Sequence, residues 1–201
     1  MKLIAHRGLY KTKSEQNTIK AFFNAIKNEC YIGFEFDVRQ TKDNKFVINH
    51  DADINNKLIK NTNYNELNIL LLEKVLKINT DKIFVIEIKD SDVNTNLLNK
   101  ILNKYKNKKI YVMSFHNKVI KKLSEEKHSY KLGVLNYIFN TEEKYRYDFI
   151  CLLDKLVTKN QINNYLNKNI EVFIYGLLKQ KELNHGNECY YIVDNFCINE
   201  L

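Results

Sequence analysis

Short apolar runs rich in β-branched residues alternate along the chain with stretches whose apolar positions recur at helical spacing. That alternation is the signature of βα units feeding a parallel sheet. The apolar runs predict eight strands, at Lys2–His6, Ile32–Val38, Ile83–Ile88, Ile110–Ser114, Tyr130–Leu135, Phe149–Leu153, Glu171–Tyr175 and Tyr190–Val193. Helices are predicted between them at Thr18–Asn28, Asn65–Ile78, Val93–Lys106, Lys118–Glu125, Lys159–Asn167 and Leu178–Leu183, with a weaker one at Glu142–Tyr145. Eight strands with intervening helices predict an α/β fold, a compact (β/α)8 TIM barrel whose loops must be trimmed to fit 201 residues. No linker, repeat or Pro/Gly cluster interrupts the pattern, so residues 1–201 read as a single domain.

One excursion departs from the βα rhythm. After the second strand, Thr41-Lys42-Asp43-Asn44-Lys45-Phe46 reads as a β-hairpin with a two-residue turn at Asp43-Asn44, because Asp and Asn tolerate positive φ. With that turn the ladder places Asp37 opposite His50. Residues two apart on a strand share a face, so Glu35, Asp37 and His50 are predicted to converge.

Two carboxylates and an imidazole on one buried face need a counter-charge, since neighbouring acids raise each other's pKa when no cation is present. A divalent ion supplies it. Oxygen ligands favour Mg²⁺ or Ca²⁺, and the nearby His leaves Zn²⁺ and Mn²⁺ open. The third strand, Ile83 to Lys89, carries Glu87 and Lys89 on one face at its C-terminal end, and His6 and Arg7 hold the same position on the first. In a (β/α)8 barrel those strand ends form the active site. Read singly, each residue is as well explained by a salt bridge, such as Glu87 with Lys89 or Arg7 with Asp37. Together they point to a site.

Charge narrows the chemistry. Glu35, Asp37 and Glu87 set against a divalent ion, Arg7 and Lys89 leave one positive charge, which a phosphodiester monoanion would neutralise. Two imidazoles then offer a base and an acid on either side of phosphorus. The net charge of +8 and pI of about 9.1 suit such a substrate, but equally nucleic acid or an acidic membrane surface. The densest basic run, Lys104 to Lys109, ends a helix without interleaved aromatic stacking groups and reads as a solvated last turn, so nucleic acid is not expected. The N-terminal apolar run is too short for a signal peptide or a span, and no amphipathic anchor is evident. Cys30, Cys151, Cys189 and Cys197 form no CxxC pair and read as small hydrophobes in a reducing compartment. The expectation is a cytoplasmic protein without membrane insertion, acting on a small molecule.

His6-Arg7-Gly8, Asn17-Thr18 with Ala21-Phe22, Gly33, Glu35-Phe36-Asp37-Val38, Thr41-Lys42-Asp43, Val47-Ile48-Asn49-His50-Asp51 and Glu87-Ile88-Lys89 occur in this order and spacing. The joint pattern resembles the glycerophosphodiester phosphodiesterase family over residues 4 to 89. Beyond that, the chain is similar only in outline, with Ser114-Phe115 after the fourth strand. The resemblance implies a (β/α)8 barrel holding Ca²⁺ or Mg²⁺ on Glu35, Asp37 and Glu87, with His6 and His50 as the acid–base pair. It also implies that Arg7, Lys89 and Asn17 hold phosphate. The implied reaction is metal-dependent hydrolysis of a glycerophosphodiester to glycerol 3-phosphate and an alcohol. A membrane-surface phospholipase of related fold and a barrel that binds a phosphate ligand or nucleic acid without turnover are the competing readings.

Some positions depart from the family's pattern. Glu15-Gln16-Asn17-Thr18 stands where Pro-Glu-Asn-Thr is usual, so Gln16 replaces an acid. The arginine usual after the His-Asp pair is missing from Ala52 to Lys57, Ile174-Tyr175-Gly176-Leu177 replaces Trp-Thr-Val-Asn, and only Ile192-Val193-Asp194 survives of the last conserved segment. Among other candidates, Asn17 reads as a helix N-cap as well as a phosphate ligand, Asp51 as an orienter of His50, and Tyr175 as a pocket wall. His116 reads as a solvated rim residue, and His128 and His185 as surface residues.

Overall fold

A computed structural model describes residues 1–136, 145–177 and 183–196. Eight parallel strands close into a barrel: β1 (Lys2–Ala5), β2 (Tyr31–Gln40), β6 (Ile83–Ile88), β7 (Ile110–Ser114), β8 (Lys131–Asn136), β9 (Phe149–Leu153), β10 (Glu171–Leu177) and β11 (Tyr190–Val193). They pair in chain order, and β1 closes the ring by pairing with both β2 and β11. Closure removes every parallel edge. Helices α1 (Ile19–Lys27), α2 (Leu72–Leu76), α3 (Thr95–Leu102), α4 (Asn117–Ser124) and α5 (Lys159–Asn167) cover the outside. All eight predicted strands are present. The predicted helix at Asn65–Ile78 is reduced to α2, because the chain before it forms only a 3-10 turn at Tyr64–Glu66. Most of the helices predicted at Glu142–Tyr145 and Leu178–Leu183 lies outside the described residues, as does Cys197.

Both faces of the strands are buried, which explains near-continuous apolar runs such as Ile83 to Ile88. Outward residues pack under the helices, with Phe22 of α1 stacked on Phe34 of β2 at 5.0 Å between centroids. Inside, Tyr111, Phe149, Phe173 and Tyr190 form an aromatic floor, with Phe173 and Tyr190 stacked at 4.4 Å. The floor needs room. A Cβ on Gly133 would lie 2.3 Å from two atoms of the Phe149 ring, so only glycine fits opposite that ring. With the lower barrel filled by rings, polar side chains can gather only near the C-terminal mouth.

The hairpin after β2 is present, with β3 (Phe46–Ile48) antiparallel to β2, but its register differs from the predicted one by a residue. Val38 faces Ile48, and Asn49 N–H donates to Asp37 O at 3.1 Å, so Asn49 rather than His50 lies opposite Asp37. The reason is the turn. Asn44 takes a φ of 62° while Asp43 does not enter the left-handed region, and Thr41 N–H bonds Lys45 O at 2.9 Å around a three-residue loop. A two-residue turn with both central residues at positive φ does occur a little later. Asn55 and Asn56, at 52° and 61°, join the short strands β4 (Asp53–Ile54) and β5 (Lys57–Leu58).

Candidate active site

Glu35, Asp37 and Glu87 occupy the interior faces of β2 and β6, and the parallel register sets Asp37 directly beside Glu87. One carboxylate oxygen from each lies within 4.8 Å of the others, and all three residues are buried. Glu35 Oε1 and Asp37 Oδ1 are buried without a hydrogen-bond partner. Buried oxygens are rarely left so, and three like charges this close raise the cost further. Burial, and then the charge of Asp37, push Glu35 up to about 8. Burial also raises Glu87, against the opposing pull of Lys89. Orphaned oxygens, hard oxygen donors and crowded acids together fit a divalent cation.

The chain leaving β1 wraps this cluster. Arg7, in the left-handed region at φ 54°, donates its main-chain N–H to Glu35 Oε2 at 3.1 Å and places its guanidinium Nε 3.1 Å from Asp37 Oδ2. Gly8 follows at φ 84°, with space for no side chain: a Cβ would lie 2.7 Å from the Ala21 Cβ on α1. Lys89, just past β6, donates to Glu87 Oε1 at 2.7 Å and lies 3.6 Å from Asp37 Oδ1. The two cations thus meet different oxygens of Asp37, Arg7 on Oδ2 and Lys89 on Oδ1.

Asn17, also left-handed at φ 57°, donates Nδ2 to Asp37 Oδ2 at 2.8 Å and accepts from Asp37 N–H at 3.3 Å. Its side chain therefore braces Asp37. It does not cap α1. Thr18 does, accepting from Ala21 N–H at 3.2 Å, since the left-handed turn points the Asn17 side chain into the barrel mouth.

His6 Nε2 lies 3.8 Å from Glu35 Oε2, and Nδ1 lies 2.8 Å from Asp194 Oδ1. Burial works against protonation of His6, but the Asp194 hydrogen bond and the Glu35 charge outweigh it and raise its pKa. Tyr10 donates its hydroxyl to the same Asp194 oxygen at 2.9 Å. Gln16 then links this arm to Arg7, donating Nε2 to Tyr10 Oη at 2.7 Å and accepting from Arg7 Nη1 at 3.1 Å. The amide at this position thus bridges two groups around the cluster and stands outside the acidic triad. The part played by Asp194 and Tyr10 was not read from the sequence. The signal was there in the strand-end position of Asp194, directly after β11, but its partner His6 lies 188 residues away in the chain.

His50 stands beyond β3, its Nδ1 2.8 Å from Asp51 Oδ1. The Asp51 carboxyl is held below its ordinary range by that hydrogen bond. The imidazole of His50 also acts on Glu87, pulling its pKa down against the burial that raises it. Tyr175 lines a cavity of about 50 Å³ beside the cluster, together with His6, Glu35, Glu87, Phe115 and Leu135. His116 is half-buried, its Nε2 3.1 Å from Lys89 O. His185 is no surface residue. It is a tenth exposed, with Nε2 2.6 Å from Asp154 Oδ1, because the segment before β11 folds back toward the turn that follows β9.

The sequence model of the glycerophosphoryl diester phosphodiesterase family matches residues 6–87, the stretch that supplies His6, Arg7, the triad and His50. Over that stretch the chain is similar to this family. A glycerophosphodiester phosphodiesterase from Thermotoga maritima is 25% identical, with a TM-score of 0.80 over 98% of this chain and 96% of that one. One from Parabacteroides distasonis, 21% identical, gives a TM-score of 0.81 over 99% of this chain and 94% of that chain. A phosphodiesterase from Oleispira antarctica in complex with its product sn-glycerol-3-phosphate, 15% identical, gives 0.80 over 98% and 93%. The last two are likenesses of fold. No curated protein sequence matches the chain. None of the described helices is long and apolar enough to cross a membrane.

Proposed function

We propose that this chain is a member of the glycerophosphodiester phosphodiesterase family and hydrolyses a glycerophosphodiester to glycerol 3-phosphate and an alcohol, using a divalent cation held by Glu35, Asp37 and Glu87. The observation that carries the reading is the buried triad, whose oxygens meet within 4.8 Å and include two without a hydrogen-bond partner. Mg²⁺ or Ca²⁺ suits an all-carboxylate set. Such an ion supplies positive charge for the phosphoryl oxygens as charge grows on them.

The chain's own residues do the rest. Arg7 and Lys89 neutralise the acids in the structure. Once a cation shares that task, both can turn donors to a phosphodiester entering the mouth. His6, held at Nδ1 by Asp194, presents Nε2 toward the cluster, and His50, held at Nδ1 by Asp51, presents its Nε2 from the hairpin arm. One removes the proton from the attacking oxygen and the other gives a proton to the leaving alcohol. Asn17 keeps Asp37 in its ligand orientation. We place the protein in the reducing cytoplasm, where buried thiols such as Cys151 and Cys189 stay reduced.

The test is direct. Purified protein is assayed against a panel of glycerophosphodiesters for release of glycerol 3-phosphate, with EDTA and with added Mg²⁺ or Ca²⁺. Release that EDTA abolishes and the ion restores is the expected result. Turnover unaffected by EDTA removes the ion from the reading, and a panel without turnover leaves only a binding role.

A further inference from the structure

Arg39 follows Asp37 by two residues on β2, and its side chain is only 13% exposed. All three of its nitrogens are engaged. Nε and Nη2 donate to the main-chain oxygen of His50 at 3.0 and 2.7 Å, and Nη1 donates to Asp90 Oδ1. The second oxygen of that carboxylate accepts from Gln40 N–H at 3.1 Å. Asp90 directly follows Lys89, whose own N–H bonds Val38 O at 3.0 Å. One guanidinium thus ties the arm bearing His50 to the segment that leaves β6 with Glu87 and Lys89.

His50 needs such a tie. The β2–β3 ladder ends at Ile48, so His50 sits past the last ladder pair, where no strand fixes its backbone. Two donors from one planar fork onto a single carbonyl locate that atom in direction as well as distance, which a lysine cannot do. Nor is a buried ion pair an economical source of stability, since apolar residues of similar volume do as well. Geometry is the better account of its presence.

We propose that Arg39 is a positioning residue for the reaction: with Asp90 it sets the place of His50 relative to the triad without touching substrate. This rests on the reading that His50 is one of the acid–base pair. The expected signature is a loss in turnover rather than in binding, because a displaced proton-transfer group spoils the reacting geometry and leaves the phosphate-binding cations in place.

The experiment measures kcat and KM for Arg39→Lys and Arg39→Ala on the best glycerophosphodiester from the panel, beside His50→Ala. Both Arg39 variants are expected to lose about 10- to 100-fold in kcat with KM near the wild-type value. Guanidinium chloride at sub-denaturing concentration is expected to restore part of the Arg39→Ala turnover, where equal sodium chloride does not. Wild-type kcat in the Arg39 variants, or a loss that guanidinium leaves unrepaired and that only follows the unfolded fraction, overturns the proposal. Should Arg39→Ala fail to fold, the NMR signal of the His50 imidazole in Arg39→Lys decides: a shifted signal supports the clamp, and an unmoved one overturns it. Full activity in His50→Ala overturns the underlying acid–base reading instead, so the two failures are told apart.

Discussion

Arg7 donates its main-chain N–H to Glu35 Oε2 across 3.1 Å, so the loop leaving the first strand and the carboxylate of the second are fixed to one another. That bond requires Arg7 in the left-handed region and a glycine directly after it. Backbone strain of this kind persists only where the surroundings hold it, and here they are Glu35, Asp37 and Gln16.

Gly8→Ala is therefore expected to be costly. The added Cβ meets Ala21 at 2.7 Å on a backbone at φ 84°, so the loop or α1 must shift. A loss of more than about 1 kcal/mol is expected from denaturant unfolding, and activity per folded molecule should fall too, because His6 and Arg7 move with the loop.

The acidic cluster should make stability depend on pH, and a bound divalent ion should weaken that dependence. Glu35 is raised from 4.5 to about 8 in the folded chain, so the folded state binds more protons than the unfolded state between those values. Stability therefore falls as pH rises through that window. His6 acts in the same sense: its folded pKa is raised, so its contribution is present below the unfolded value and lost as pH rises through the folded one. Denaturant midpoints in EDTA are expected to drop between pH 5 and 8, and saturating Mg²⁺ or Ca²⁺ should flatten the drop. Midpoints that rise over that range would contradict the account.

Asp194→Asn tests the hold on His6. The amide keeps the shape but loses the charge that His6 Nδ1 and the Tyr10 hydroxyl share. A fall of about 10-fold or more in kcat is expected, with divalent-ion affinity measured by titration calorimetry little changed because Asp194 lies outside the triad.

The strand-end chemistry was legible in the sequence because a parallel barrel strand is apolar on both faces, so Glu35, Asp37 and Glu87 stand out inside runs that should hold none. The hairpin register was not. Asp43-Asn44 is compatible with loops of two or three residues, and only the φ of 62° at Asn44 alone selects the longer one. Asn17 misled for a similar reason: its residue type suits an N-cap, and its left-handed backbone, invisible in the sequence, sends the side chain to Asp37 instead. Arg39 and Asp194 were unreadable as supports because their partners, Asp90 and His6, are distant in the chain.

Gly133→Ala probes the barrel floor apart from the chemistry. Its Cβ would press into the Phe149 ring at 2.3 Å, so the aromatic layer must repack. Overpacking of about 1–3 kcal/mol is expected from thermal or denaturant unfolding, while the folded fraction keeps its KM because the triad lies above that layer.

The most direct measurement is an anomalous difference map from a crystal of the protein soaked in Mn²⁺, a stand-in for Mg²⁺ whose scattering locates it. A single strong peak within about 2.4 Å of carboxylate oxygens from Glu35, Asp37 and Glu87 is the expected result. A map without a peak there, or with its peak on other residues, would contradict the claim that these three acids exist to hold a cation.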